Sequence, residues 1–364
     1  MAQEQETLQV YDPDQLYHLL KNERPLYWDT TRDTTSIQAI RHKGDIALQM
    51  PNKEETGDGV YTLTHWAQTQ LADKMGIPWK YYNRMLTEKK TQLLADNINA
   101  WMQTKDKRTF RMKGDTVRAV VSDIYSSFDN LDLYKIALLE IQEQDAVIHE
   151  CSLTDRHMYI KALMPYNELE IVKNDSVVPG IILSNSEVAA GKTKVELFLL
   201  RKVCSNGMIG EQVFGKTHIG GRRENGIIDY SRKVETLQNK LDKQKITELM
   251  HLAFNTELHT EWTHAIKNGV DFTIEHRADA IKSLSSHFNF TKEEDSNILN
   301  ILAEQRKANK WTISQSVTQC ARDTKDYERK VELERIGGDI AVMPDARLDA
   351  VMKMRNLQKE LERE

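Results

Sequence analysis

No apolar run in this 364-residue chain approaches the ~20 residues that a membrane-spanning helix needs. Met1–Thr7 is polar and acidic, the opposite of a secretory leader. Cysteine is scarce: Cys151, Cys204 and Cys320 lie far apart, and a sparse, odd set points to free thiols in a reducing compartment. There is no C-x-x-C pair, no H-x-x-x-H box, no glycine-rich phosphate loop and no catalytic triad in chain order. His149, Cys151 and His157 are close in sequence, and Cys204 and His218 come later, but none has metal-ligand spacing. Neither charge sign dominates. Fifty Lys and Arg against 55 Asp and Glu leave a net charge of -5, so any nucleic-acid partner needs a local basic patch on a mildly acidic body. A cytoplasmic protein without metal or cofactor is expected.

What is present suits a soluble globular chain, 40% hydrophobic and 29% charged. Leu16, Leu19 and Leu20 mark a short helix over Asp14–Asn22. Thr34–Met50 reads as an extended pair turning at Gly44-Asp45. Three helices follow: Leu63–Met75, capped by Thr62 or Thr64; one opening at Pro78; and Lys89–Thr104. In the last, Leu93, Leu94, Ile98 and Trp101 are spaced for a buried face. Short β-branched runs then dominate: Lys107–Met112, Val117–Ser122, Ala146–Ser152, Arg156–Leu163, Glu168–Val172, Val177–Asn185, Lys194–Val203 and Gln212–His218. A helix over Leu131–Glu143 interrupts them. After Gly226 the period changes from two to about 3.6, and the rest reads as helical, with Gly337-Gly338 and Pro344 setting off a last helix. The expected fold is therefore α+β: a helical N-terminal cap, a central mixed, antiparallel-rich sheet with a helix, and a helical C-terminal third. Residues 107–219 should form one β-rich core. Boundaries fall at 1–56, 57–226, 227–340 and 341–364.

Two segments carry local positive charge. Lys105, Lys107, Arg108, Arg111, Lys113 and Arg118 stand against Asp106 and Asp115. Arg201, Lys202, Lys216, Arg222 and Arg223 stand against Glu211, and H-I-G-G-R-R offers glycines beside two forked guanidinium groups. Cations beside rings suit single-stranded nucleic acid, where phosphates meet charge and bases stack. A solvated hairpin and an ordinary arginine loop are the competing readings. Trp79, Tyr82 and Met85 fall on one helical face and read as core, whereas Tyr81 and Tyr125 are available for stacking. Asp123, Asp129, Asp132 and Glu187 form the only hint of a carboxylate cluster, and helix capping accounts for Asp129.

Several ordered motifs are family-like: G-I-P-W-K-Y-Y-N-R-M, R-A-V-V-S-D-I-Y-S-S-F-D-N-L-D, P-G-I-I-L-S-N-S-E-V, L-R-K-V-C-S-N-G-M and Y-E-R-K-V-E-L-E-R-I-G-G. They resemble the phage- and plasmid-like proteins catalogued as domain of unknown function 932 (DUF932), over roughly residues 57–340. The turn Ala189-Ala190-Gly191 is less glycine-rich than is usual there, and Ser205 stands where threonine is common. The resemblance implies a mobile-element context. The layout is also similar to that of ring-forming single-strand annealing proteins, an analogy of arrangement only. The resulting expectation is a non-enzymatic, homo-oligomeric protein that binds single-stranded DNA for annealing or recombination. Its contacts would be Arg108, Arg111, Arg118, Tyr125, Arg201, Lys202, Arg222 and Arg223. The alternatives are an interaction protein acting on a host factor or defence system, and a metal-dependent nuclease built around Asp123.

Overall fold

The computed structural model describes residues 10–54, 56–103, 106–123, 125, 128–216 and 232–352, without the side chains of residues 211–239. The chain opens with β1 (Val10–Tyr11) and α1 (Pro13–Glu23). Asp12 caps α1 by accepting from the Gln15 N–H at 2.9 Å, and Pro13 fills the first helical position, where no amide proton is needed. Four strands follow: β2 (Tyr27–Asp33), β3 (Gln38–His42), β4 (Asp45–Pro51) and β5 (Asp58–Leu63). Next come α2 (His65–Lys74), α3 (Trp79–Thr87) and α4 (Thr91–Trp101), then the hairpin β6 (Lys107–Lys113) and β7 (Thr116–Ser122).

These six strands make one sheet in the order β2-β6-β7-β5-β4-β3, antiparallel except for the short β5–β7 pairing. Strands from both sides of residue 57 therefore share a sheet. Its core face meets α2–α4 through Leu48, Met50, Tyr82, Leu94, Ile98, Phe110 and Met112. Trp79 packs against this core and Tyr82 and Met85 lie within it, in line with the core reading of α3. The α4 stripe is narrower than its spacing suggests. Leu94 and Ile98 are fully buried, but Leu93 (53%) and Trp101 (61%) are exposed. Leu93 sits about 100° round the helix from Leu94, and Trp101 is the last residue of α4.

The second half begins with α5 (Asn130–Glu143), followed by β8 (Val147–Leu153), β9 (Met158–Leu163), β10 (Leu169–Val172), β11 (Asp175–Asn185), β12 (Thr193–Arg201) and β13 (Gly207–Lys216). The second sheet runs β1-β8-β9-β11-β12-β13, with β10 beside the start of β11. The expected single core over 107–219 is thus two sheets. β6 and β7 pair with N-terminal strands because β2 offers an antiparallel edge from Tyr27 to Asp33.

Helices α6 (Arg232–Ala253), α7 (Thr256–Asn268), α8 (Arg277–Phe288), α9 (Lys292–Ala303), α10 (Lys310–Arg322) and α11 (Tyr327–Val342) complete the fold, with further helix over residues 345–352. α1, α5 and α6 cover one face of the second sheet through Leu133, Tyr134, Ile181, Val195 and Met250. α11 lies on the other face, where Tyr327 and Val331 join Ile182, Phe198 and Ile209. The helical C-terminal third is therefore real, but Gly337-Gly338 does not break it. Both glycines lie within α11. A Cβ on Gly338 would sit 1.8 Å from the Ile209 carbonyl oxygen, and one on Gly337 would sit 2.3 Å from Thr318 Cγ2. The pair is an allowance for close helix approach, not a stop. Among the described residues, no helix is long and apolar enough to cross a membrane.

Candidate functional site

α11 is fastened to its sheet by charge as well as by apolar contact. Glu150, Lys161 and Glu196 face it from neighbouring strands. Lys161 donates to Glu334 at 2.8 Å and lies 3.0 Å from Glu150, while Lys330 donates to Glu150 at 2.7 Å. Arg335 forks onto Glu196 at 2.8 and 2.6 Å. Although burial opposes ionisation, Lys161 and Lys330 hold the Glu150 carboxyl down at about 2.

At the N-terminal end of α11 the same helix supplies Glu328. Its carboxylate accepts from Thr154 Oγ1 (2.6 Å), Tyr159 OH (2.8 Å) and His157 Nδ1 (2.9 Å). Burial works against the charge, yet these donors, led by His157, bring the Glu328 pKa to about 2. The bond to Nδ1 fixes that nitrogen as the proton carrier and leaves Nε2 as the free end of the ring. Nε2 has no hydrogen-bond partner among the described residues and is not among the buried unsatisfied atoms, so it is open. Residue 191 matters here: a Cβ on Gly191 would come 2.5 Å from Nε2.

His157 and Arg156 line two cavities. The first, about 340 Å³, lies between the two sheets and includes Glu23, Tyr27, Lys113, Arg118 and Glu187 in its walls. The second, about 430 Å³, is bounded by Lys192 and Lys194 on one side and by Asp326, Glu328, Arg329, Glu332 and Arg335 on the α11 side. Three cations there have no close partner among the described residues. The Arg156 guanidinium stands 4.0 Å from Asp155 and over the Trp66 ring at 5.7 Å. Lys194 stands 4.0 Å from Glu196, which Arg335 already occupies. Lys192 is exposed. Burial first, and then the charge of Arg335, lower the Lys194 pKa.

The residues singled out from the sequence behave differently. Arg118 donates to Glu187 at 2.8 Å and lies over the Tyr27 ring at 4.0 Å. Arg111 is buried, donating to Asp29 at 3.2 Å and to the Glu187 carbonyl oxygen. Arg108 donates to Asp106 at 3.0 Å. Arg201 forks onto Asp175 with two 2.7 Å bonds, and Lys202 meets Glu168 at 2.7 Å. The Tyr125 hydroxyl accepts from the Ala189 N–H at 3.1 Å, and burial raises its pKa to about 12. The structure thus brings Arg111, Arg118 and Tyr125 together round the loop that carries Glu187, and puts Arg201 and Lys202 elsewhere, at the end of β12. Withdrawing any of these arginines to a phosphate would strand a carboxylate, which is costly where the pair is buried. Tyr81 is exposed and accepts from Asn97. Arg222 and Arg223 lie outside the described residues.

Glu187 is the residue the sequence reading undervalued. One of its oxygens pairs with Arg118 and the other accepts the Asn130 N–H at 2.7 Å, so Glu187, not Asp129, caps α5. Asp129 instead pairs with Arg24 at 2.7 Å. The loop after Glu187 is tied to α2 by Trp66 and Gln70, each donating to the Val188 carbonyl at 2.8 Å. A signal for Lys192 and Lys194 was present in G-K-T-K, since alternate residues of a strand share a face. Among the described residues, no three His, Cys, Asp or Glu side chains gather as a metal-binding group. Cys151, Cys204 and Cys320 are free. No family model, curated protein or solved structure matches the chain.

Proposed function

We propose that this chain is a nucleic-acid-binding protein that grips single-stranded DNA by its phosphates, in the cleft around Arg156, Lys192 and Lys194. The observation that carries the reading is the contrast in pairing. Arg108, Arg111, Arg118, Arg201 and Lys202 each have a partner within 3.2 Å, whereas Arg156 and Lys194 come no nearer than 4.0 Å to a carboxylate and Lys192 is exposed. Phosphate binding needs cations whose charge is not already spent within the fold. The mobile-element setting, a role in annealing or recombination and a homo-oligomeric form follow from the motif resemblance and belong to the same proposal. The test is fluorescence anisotropy with labelled oligo-dT over a series of salt concentrations. Three phosphate contacts on a single strand give a log–log slope of about -2. Lys192→Ala/Lys194→Ala should flatten it by about 1.4. A wild-type slope in that variant removes the cleft from the argument, and no binding at low salt removes the function.

A further inference from the structure

The second cavity is lopsided in charge, and that asymmetry narrows what it accepts. Its cationic side holds Arg156, Lys192 and Lys194 without close partners. The positive charges of its other wall are already neutralised. Arg329 forks onto Glu294 at 2.8 and 2.7 Å and also meets Glu332 at 2.7 Å, while Arg335 is held by Glu196. That wall is therefore net negative: Arg329 is shared between Glu294 and Glu332, and Asp326 and Glu328 add two further carboxylates.

We infer that this cavity is a phosphomonoester site, taking the doubly charged phosphate at the end of a strand or on a free nucleotide. The inference builds on the proposed phosphate-binding cleft and narrows its ligand. A phosphodiester carries one charge and must enter and leave on a continuing backbone. A backbone crossing to the α11 wall would meet net negative charge. A monoester carries about -1.5 to -2 at neutral pH and ends at the phosphate, so it can face the cations and stop there. A volume of about 430 Å³ also matches a nucleotide-sized ligand, since small-molecule pockets run from roughly 300 to 1,000 Å³.

His157 adds discrimination. Nδ1–H is committed to Glu328, so Nε2 can accept from the acidic proton that a monoester keeps in its singly ionised form, which coexists with the dianion near neutral pH. A diester has no such proton to give. Gly191 keeps this nitrogen reachable, because any larger residue would place carbon 2.5 Å from it.

Calorimetry would compare dT10 with a phosphate at its 5′ end, at its 3′ end or at neither, alongside dTMP, all at one salt concentration. At least one phosphorylated form should bind about tenfold or more tighter than hydroxyl-ended dT10, the order expected for an added charge-assisted contact. Lys192→Ala/Lys194→Ala should reduce that preference to less than about twofold, and Gly191→Ala should weaken it while leaving the lysines in place. Lys282→Ala, exposed on α8, is the control for general charge. Equal binding of all three oligonucleotides overturns the inference and leaves the strand-binding reading standing. Binding of dTMP with no oligonucleotide bound supports the inference and ends the strand reading. No binding of any ligand ends both. A preference that survives the double lysine substitution overturns the assignment to this cavity.

Discussion

Lys161→Met tests whether charge holds α11 in place. Lys161 is 1% exposed, and its ammonium joins Glu150 on β8 to Glu334 on the helix. Methionine keeps most of the stem volume, so the cavity contribution is small. Glu150 retains Lys330 at 2.7 Å and the Tyr327 hydroxyl at 2.5 Å. Glu334, 2% exposed, loses its ion-pair partner. Leaving one charge of a buried pair uncompensated costs roughly 3–5 kcal/mol, against about 1 kcal/mol or less for the change of shape. The measurement is urea unfolding at pH 7.5, followed by helical circular dichroism. Adding Glu334→Met removes the orphaned charge, so the double variant should be more stable than the single. The pH response has a definite sign. A buried carboxylate without its cation has its folded pKa raised above the unfolded value, so its penalty grows as pH rises and shrinks as pH falls. A single-variant loss below about 1 kcal/mol, or a double variant less stable than the single, would refute the reasoning.

Two further outcomes follow from the packing. His259 is fully buried with Nε2 2.9 Å from the Ala253 carbonyl, and burial lowers its pKa from 6.5 to about 4. The unfolded chain takes up that proton first, so the stabilisation is complete above pH 6.5 and is lost as pH falls towards 4. Between pH 7.5 and 5.5 this group alone should remove about 1.4 kcal/mol, and His259→Asn should flatten the interval by that amount in matched urea titrations. Gly338→Ala should destabilise the protein by about 3 kcal/mol or more in the same assay, because the clash is with the main chain of β13. Gly57→Ala, with no atom within 4 Å of the added carbon, should stay within about 0.5 kcal/mol. Equal effects at the two glycines would contradict the packing described for α11.

Local periodicity was enough to find most elements of the second half. The alternation of β-branched residues marked β11 and β12 to within about two residues, and the change of period after Gly226 marked the helical third. The cap of α2 was legible too, since Thr64 accepts the Ala67 N–H at 3.1 Å, whereas α5 is capped from a distance by Glu187 and not by Asp129. The sequence also separated Tyr82 from Tyr81, the first fully buried and the second exposed. These features depend on residues within one or two turns of each other, so the chain alone determines them.

Partner choice is not local, and there the tertiary structure decided. Arg118 and Glu187 are 69 residues apart, and Arg335 and Glu196 are 139 apart. No spacing in the chain distinguishes a paired arginine from one left for a ligand. The same holds for Gly337-Gly338, which reads as a break until Ile209 and Thr318 are seen pressed against it. It holds also for β6 and β7, whose own pattern suits either sheet until β2 pairs with β6. Strand-forming tendency is set by the residues themselves, whereas register, sheet membership and the neutralisation of charge are set by what the rest of the fold brings alongside.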